Sequence, residues 1–349
     1  MPIRRLGCRL AKRAMRTIFY PTEKSMAADG RYAATIGFFD GVHRGHRFLI
    51  SHLKEVAEQR GQQSMVITFE RHPRQVVNTD WQPQLLTSLA ERTRLLAKTG
   101  IDMLVVLRFD AAMAQLSARQ FMQLLHDDLQ VATLLTGYDN RFGHDRTETF
   151  SDYERYGRQM GIEVLAGTPC DVAQKPVSSS RIRRLIGEGD MLQAADCLGR
   201  CYTVSGRVVH GEQIGRTLGF PTANLQIDDP CRLIPAPGVY AVGISIGAED
   251  RQTVTEQQSV IGQRSVTEQQ SFGGMMNIGT RPTFDGHRTT LEVNIFDFND
   301  DIYDRRLTVS FLERLRSEQH FSSPEALTEQ MRRDAEQTRI LTKQFLSKI

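Results

Sequence analysis

No stretch of the 349 residues carries the run of about 20 apolar side chains that a membrane-spanning helix needs. Cysteine is sparse and without pattern: Cys8, Cys170, Cys197, Cys201 and Cys231 are odd in number and show no Cys-x-x-Cys spacing. That disfavours both a disulfide framework and a zinc site, and reduced thiols in a cytoplasmic protein are expected. An excess of charge is missing too, with 44 basic against 41 acidic residues. Nothing therefore calls for a nucleic-acid or membrane partner, and no obligatory protein partner is evident. Also absent is a lysine after the first glycine-rich turn, so that turn is not the Gly-Lys-Ser/Thr solution to phosphate binding.

What is present begins with length. A single core usually stops growing below this size, so two domains are expected. Tyr32 to Phe39 is an apolar, β-prone run, and Leu49, Leu53, Val56 and Ala57 then recur at helical spacing. Between the two lie Gly41, His43, Gly45 and His46. Gly41 and Gly45 permit close backbone approach or positive φ, and a helix starting near Gly45 aims unpaired N–H groups forward. His43 and His46 add side-chain donors for a polyphosphate.

Further strands are expected at 64–69, 103–107, 131–136 and 162–166, alternating with helices. Ser88-Leu-Ala-Glu91 is a capping box opening a helix through Lys98 that stops at Gly100, and another helix follows Ser117. Such alternation predicts a parallel sheet covered on both faces, with ligands beyond the carboxyl ends of its strands. There lie Arg71, His72 and Arg74, and later Asn140, Arg141 and Arg146, suited to a base or ribose and to phosphate. Ser178, Ser179 and Ser180 precede a helical Arg-Ile-Arg183. One serine would suffice as a cap; three hydroxyls with Arg183 at a positive helix end make an anion site. Residues 1–29 are read as a dispensable extension, basic and free of acids through Arg16, with Met15 a more ordinary beginning.

Beyond a short helical stretch, Met191 to Leu198, the helical period disappears, and the boundary is placed near Asp190. Short strand candidates at 204–209, 239–246, 291–296 and 307–311 suggest a small antiparallel barrel, dividing the chain into 30–190 and 191–349. Pro221 makes the segment Gly215 to Asn224 a loop or an edge, in which Thr222 and Asn224 offer two oxygens on one side of an extended chain to Mg²⁺. Val254-Thr-Glu-Gln-Gln-Ser259 recurs as Val266-Thr-Glu-Gln-Gln-Ser271 within 247–273, read as an elongated hairpin or disordered loop away from any site. Ser323-Pro324 opens a last helix whose stripe Leu327, Met331 and Ala335 is expected to pack on the barrel.

His43-x-Gly45-His46 resembles the signature of nucleotidylyltransferases, and Gly37-x-Phe39-Asp40-Gly41-x-His43-x-Gly45-His46 resembles bacterial FAD synthetases. Glu70-Arg-His-Pro73, Gly137-Tyr-Asp-Asn-Arg-Phe-Gly143 and Val177-Ser-Ser-Ser-Arg-Ile-Arg183 resemble further elements of that family. Phe38 departs from it, standing where many relatives have a small or polar residue. In the second half Gly215-Arg-Thr-Leu-Gly-Phe-Pro-Thr-Ala-Asn224, Gly238-Val-Tyr240, Asn277 to Thr283 and Leu291 to Phe298 resemble riboflavin kinase, in that order.

The resemblance implies a nucleotidylyltransferase-like, Rossmann-type α/β domain followed by a small antiparallel β-barrel with a C-terminal helix. It implies phosphorylation of riboflavin to FMN and adenylylation of FMN to FAD, with ATP as co-substrate and Mg²⁺ in both steps. Gly37, Phe39, Asp40, Gly41 and Gly45 would surround ATP phosphates in one site, Gly215, Arg216 and Gly219 in the other. Glu292 would be the kinase base, and Asn140, Arg314 and Arg316 would contact flavin. Two rival readings are an adenylyltransferase of another small phosphorylated substrate and a flavin-binding regulator that has lost catalysis.

Overall fold

The computed structural model describes residues 14–22, 31–78, 80–137, 141–144, 147–168, 171–172, 175–211, 219–247, 270–283 and 286–347. The chain divides into two compact units, Met1–Ser179 and Ser180–Ile349.

In the first unit β1 (Arg16–Tyr20), β2 (Tyr32–Ile36), β3 (Gln63–Phe69), β4 (Met103–Leu107), β5 (Val131–Thr136) and β6 (Glu163–Ala166) form one sheet. Its order is β1-β4-β3-β2-β5-β6, with every neighbouring pair parallel. The crossovers contain α1 (Arg44–Gln59), α2 (Pro73–Val77), α3 (Leu89–Ala97), α4 (Ala111–Ala114), α5 (Ala118–Asp127) and α6 (Phe150–Met160). Strand residues alternate between two cores. Tyr32, Ala34, Met65, Ile67, Met103 and Val105 pack with α5 and α6, whereas Ala33, Val66, Leu104 and Val106 pack with α1 and α3. A strand buried on both faces must be apolar at every position, which is why these segments read as continuous runs. Ser88 and Ser117 close the expected capping boxes.

The sheet corrects one expectation. Arg16–Tyr20, inside the stretch read as an extension, is an edge strand in register with β4, from Arg16 opposite Met103 to Tyr20 opposite Leu107. Its short length and flanking basic residues hid it.

A two-stranded ribbon, β7 (Asp171–Val172) and β8 (Lys175–Pro176), leads to α7 (Ser179–Glu188), which crosses into the second unit and is followed by α8 (Met191–Leu198). Then come β9 (Tyr202–Val209), β10 (Ala223–Ile227), β11 (Gly238–Ile246), β12 (Gln270–Thr283), β13 (Gly286–Ile295) and β14 (Arg306–Arg316). They close a barrel, β10-β13-β12-β11-β14-β9, antiparallel throughout. Closure leaves no edge, and Pro221 sits just ahead of β10, where no ladder donor is required. The insert is narrower than expected, because β12 starts at Gln270, opposite Ile246, and residues 270–273 belong to the barrel. Its duplicated core, 254–269, lies outside the described residues.

The last helix, α9 (Pro324–Leu346), is capped by Ser323 as expected. Its stripe differs: Leu327, Met331 and Ala335 are only half-buried, while Asp334, Thr338 and Thr342 are buried. Thr338 and Thr342 donate to the carbonyls of Asp334 (2.7 Å) and Thr338 (2.9 Å), so their hydroxyls are satisfied within the helix. Gly273 makes room for Thr342 and Gly243 for Phe345. A Cβ at Gly273 would stand 2.7 Å from Thr342 Oγ1, and one at Gly243 2.1 Å from the Phe345 ring.

Candidate functional site

In the first unit the turn follows β2 at the carboxyl edge of the sheet, where the chain switches from the β3 side to the β5 side. Phe39, Gly41 and Val42 all have positive φ (55°, 81° and 39°), a tight backbone coil ahead of α1. His43 is the N-cap of α1: its Nδ1 accepts from the His46 backbone N–H at 3.3 Å, which leaves the proton on Nε2 and makes that atom a donor. The two imidazoles stack at 3.5 Å with 19° between planes. His46 Nδ1 is buried without a protein hydrogen-bond partner. Burial, with the neighbouring His43 and Arg92, holds the His46 pKa well below the ordinary histidine value, so the His46 ring is neutral near pH 7. A Cβ at Gly45 would approach the His43 ring at 3.2 Å and Val177 O at 3.3 Å, so the glycine lets α1 meet the serine segment. Ser179 Oγ donates to Asp40 O at 2.9 Å, tying that segment to the turn.

Two residues expected at phosphate turn inward. The Asp40 carboxylate, 2 % exposed, accepts from the backbone of Leu86 and Thr87 and from Thr87 Oγ1, each at 3.0 Å. A carboxylate there braces the turn from behind, and its charge would repel phosphate. Phe39 packs its ring in the core and edge-on to His46 at 5.1 Å. Ser178 and Arg183 are half-buried near the start of α7 and Ser180 is exposed. Asn140 and Arg146 lie outside the described residues. Arg74 stands 5.8 Å from the Trp81 ring, and His72 caps α2.

Arg92 was not read from the sequence. It is 1 % exposed, donates to Phe69 O at 2.5 Å and lies 4.1 Å from the Phe38 ring centroid, with burial pulling its pKa down to about 10 against the opposing effect of Asp40. The available signal was an arginine spaced with Leu89 and Leu96 on the apolar side of α3. Phe38, the departure from the family pattern, is thus the platform for a buried cation.

In the barrel the conjunction is tighter. Glu292 on β13 stands opposite Asn224 of β10 and Asn277 of β12. Two cavities flank the segment before β10. The larger, about 710 Å³, is bordered by Glu292, Asn277, Arg316, Phe321 and Asp334; the smaller, about 420 Å³, by Phe298, Asp300, Asp301 and Tyr303. Thr222 borders both. Asn294 Nδ2 donates to Pro221 O at 2.7 Å and fixes that dividing segment. Asn224 does not border either cavity; its amide lies over Gly211, where a Cβ would meet Nδ2 at 1.9 Å. Gly219, with φ 81°, forms the turn before Pro221, and Gly215 and Arg216 lie outside the described residues.

Arg314, expected at flavin, is held as a strut between backbone carbonyls. It donates to Glu188 O (3.4 Å) and Pro237 O, packs against Gly189 and Gly238, and does not border the larger cavity. Arg316 does border it, already engaged by Asp334 at 2.9 Å.

The FAD synthetase family matches residues 25–181 and the riboflavin kinase family residues 198–342. A bifunctional riboflavin kinase/FMN adenylyltransferase of Escherichia coli (strain K12) is 37 % identical over 303 residues, 86 % of this chain and 89 % of that protein. The one from Listeria monocytogenes is 34 % identical over 329 residues, 93 % and 98 % respectively. This chain belongs to the bifunctional riboflavin kinase/FMN adenylyltransferase family. The fold is that of a crystal structure described as a macrolide-efflux protein from Streptococcus pneumoniae, with TM-score 0.80, 32 % identity and coverage of 93 % of this chain and 98 % of that one. Among the described residues no helix is long and apolar enough to cross a membrane. In family terms, the His43–His46 turn lies in the part matching FAD synthetase and the two cavities in the part matching riboflavin kinase.

Proposed function

We propose that the chain phosphorylates riboflavin with ATP to give FMN in the part spanning 191–349, and adenylylates FMN with a second ATP to give FAD and pyrophosphate in the part spanning 30–190. The observation that carries the reading is the meeting of two cavities at Thr222, with Glu292 on the wall of the larger. Riboflavin takes the larger cavity and ATP the smaller, whose Phe298 and Tyr303 suit a base. Phosphate then has to cross at Thr222. Glu292 takes the proton of the primary ribityl hydroxyl as its oxygen attacks the γ-phosphorus and ADP leaves.

Magnesium fits the donors at the crossing: the Thr222 hydroxyl and Asn224 carbonyl are hard oxygen ligands, few enough to leave places for phosphate and water. Bound there, it would neutralise phosphate charge; in this structure the Asn224 amide lies over Gly211. Gly219, with Gly215 and Arg216, is assigned to the ATP phosphates of this site.

In adenylyl transfer the FMN phosphate oxygen attacks the α-phosphorus of ATP and pyrophosphate departs, so no enzyme-bound covalent intermediate is needed. The protein positions and stabilises. His43 and the neutral His46 donate to the phosphates in front of α1, the backbone at Gly37, Gly41 and Gly45 permits close approach, and Ser178, Ser179, Ser180 and Arg183 receive pyrophosphate. Asn140 is assigned to FMN or adenine. Both activities are assigned to the cytoplasm, in keeping with their use of ATP.

Chromatography of riboflavin incubated with ATP and Mg²⁺ tests the reading. FMN and FAD peaks are expected. Unchanged riboflavin would favour a regulator, and AMP transfer to some other phosphorylated compound without FMN formation would favour the rival adenylyltransferase.

A further inference from the structure

The buried face of α9 carries one charged group. Asp334, 4 % exposed, lies in line with Thr338 and Thr342, whose hydroxyls are satisfied by the helix itself. Its carboxylate has no such local solution. Arg316 Nε, from the end of β14, donates to Oδ2 at 2.9 Å, and Gln330 Nε2, one turn back on α9, donates to Oδ1 at 2.9 Å. Both oxygens are thereby committed, and the guanidinium is held at a fixed angle.

What Arg316 does next lies at the cavity. Its Nη1 donates to Ser317 O at 3.3 Å, and its Cζ stands 5.4 Å from the Phe321 ring. Those are the first residue and a central side chain of the segment 317–323, which borders the larger cavity from Glu318 onward and ends at Ser323, the cap of α9. One guanidinium thus joins the strand end, the cavity wall and the helix.

Holding α9 on the barrel does not call for a charge. Along the same face Thr342 and Phe345 sit against Gly273 and Gly243, which fastens the helix through shape alone. A buried ion pair is a poor device for adhesion, because desolvating two charges cancels much of their attraction, but it is a good device for fixing direction. Asp334 lies midway along α9, at the limit of the half that borders the cavity, and Arg316 and Asp334 are both on the cavity surface.

We propose that Asp334 is a positioning residue for riboflavin: it orients Arg316 and, through it, the wall segment 317–323 against which the flavin rests. Arg316 accordingly shapes the site while neutralised by Asp334, and does not act as a free cation. The inference rests on the reading of the larger cavity as the riboflavin site.

The test uses the full chain. Asp334→Asn should raise the KM for riboflavin about tenfold, the scale of one charged hydrogen bond, with kcat and the KM for ATP within about threefold of the parent and FMN adenylylation unchanged. Asp334→Glu, which keeps the carboxylate, should restore most of the affinity. The double variant Arg316→Gln, Asp334→Asn leaves no lone buried charge, so it keeps the test open if Asp334→Asn does not fold, and it should show the same rise in KM. A parental KM for riboflavin in folded Asp334→Asn or in the double variant overturns the proposal. So does a fall in apparent kcat alone that tracks the loss of folded protein, the mark of a merely structural pair. Absence of FMN from the parent chain is a separate failure, overturning the assignment of the cavity itself.

Discussion

Asn224 and Glu292 occupy paired positions on neighbouring strands of the barrel, in register between β10 and β13. The amide assigned to the ion and the acid assigned to the proton therefore have backbones one strand spacing apart, about 5 Å. Since the barrel is closed, neither strand can slip relative to the other without breaking the ladder around the ring. The relative positions of these two groups are set by backbone hydrogen bonds, before any ligand arrives.

Glu292→Gln preserves size and removes the base. Riboflavin phosphorylation should fall by roughly 10²-fold or more, the range usual for losing a general base, while supplied FMN is still converted to FAD. Separate assays with riboflavin and with FMN check this. Loss of FAD formation from FMN in folded Glu292→Gln would show that the two activities share the residue.

His46→Ala should have the opposite signature. Losing a preorganised donor to phosphate is expected to cost on the order of 10²-fold in adenylyl transfer, so riboflavin would accumulate as FMN. If FMN formation stops instead in folded protein, the two-site assignment fails.

The direction of the His46 pKa also fixes an acid response. Folded His46 stays neutral where the unfolded chain takes up a proton near pH 6.5, so the unfolded state binds more protons below that pH. Its contribution to stability is complete above the unfolded value and is lost as pH falls from there toward the depressed folded value, at up to about 1.4 kcal/mol per pH unit. Urea midpoints between pH 7 and 5 should therefore fall less steeply for His46→Gln than for the parent. Equal slopes would mean that the ring takes up its proton in the folded protein.

Deleting Glu249 to Gln269 and joining the flanks by a short turn should leave both activities within a fewfold of the parent, because loop entropy changes slowly with length. The cut has to stop before Gln270, which pairs with Ile246. A folded deletion variant that no longer phosphorylates riboflavin would show that the insert shapes the kinase site.

The turn from Gly37 to His46, the alternating cores and the capping serines were legible because each is written in local spacing. Glu292 was assigned through resemblance, and Thr222 first from the extended segment after Pro221; the structure places both on the wall of the larger cavity. Asp40 was misread because a buried acid serving backbone donors and an acid at a ligand look alike in sequence; only Leu86 and Thr87, 46 and 47 positions away, tell them apart. The strut made by Arg314 was equally hidden, since its carbonyl partners at Glu188 and Pro237 leave no side-chain trace. On α9 the packing stripe is carried by threonines and an aspartate, so a count of apolar residues pointed beside it. Part of its signal lay elsewhere, in Gly243 and Gly273 on the barrel.

The edge strand β1 has a consequence for solubility. It is clamped to β4 at both ends, by Arg16 N to Asp102 O at 2.9 Å and Arg108 N to Tyr20 O at 3.0 Å. A chain trimmed to start at Met15 keeps this strand; one trimmed past Pro21 uncovers Met103–Leu107, a wholly apolar strand with a vacant row of amides and carbonyls. Such a border invites strands from other molecules. Arg16–Tyr20 thus acts as a selvage, the woven border that keeps a cloth from joining or unravelling, and concentration-dependent association of the shorter chain is its expected measure.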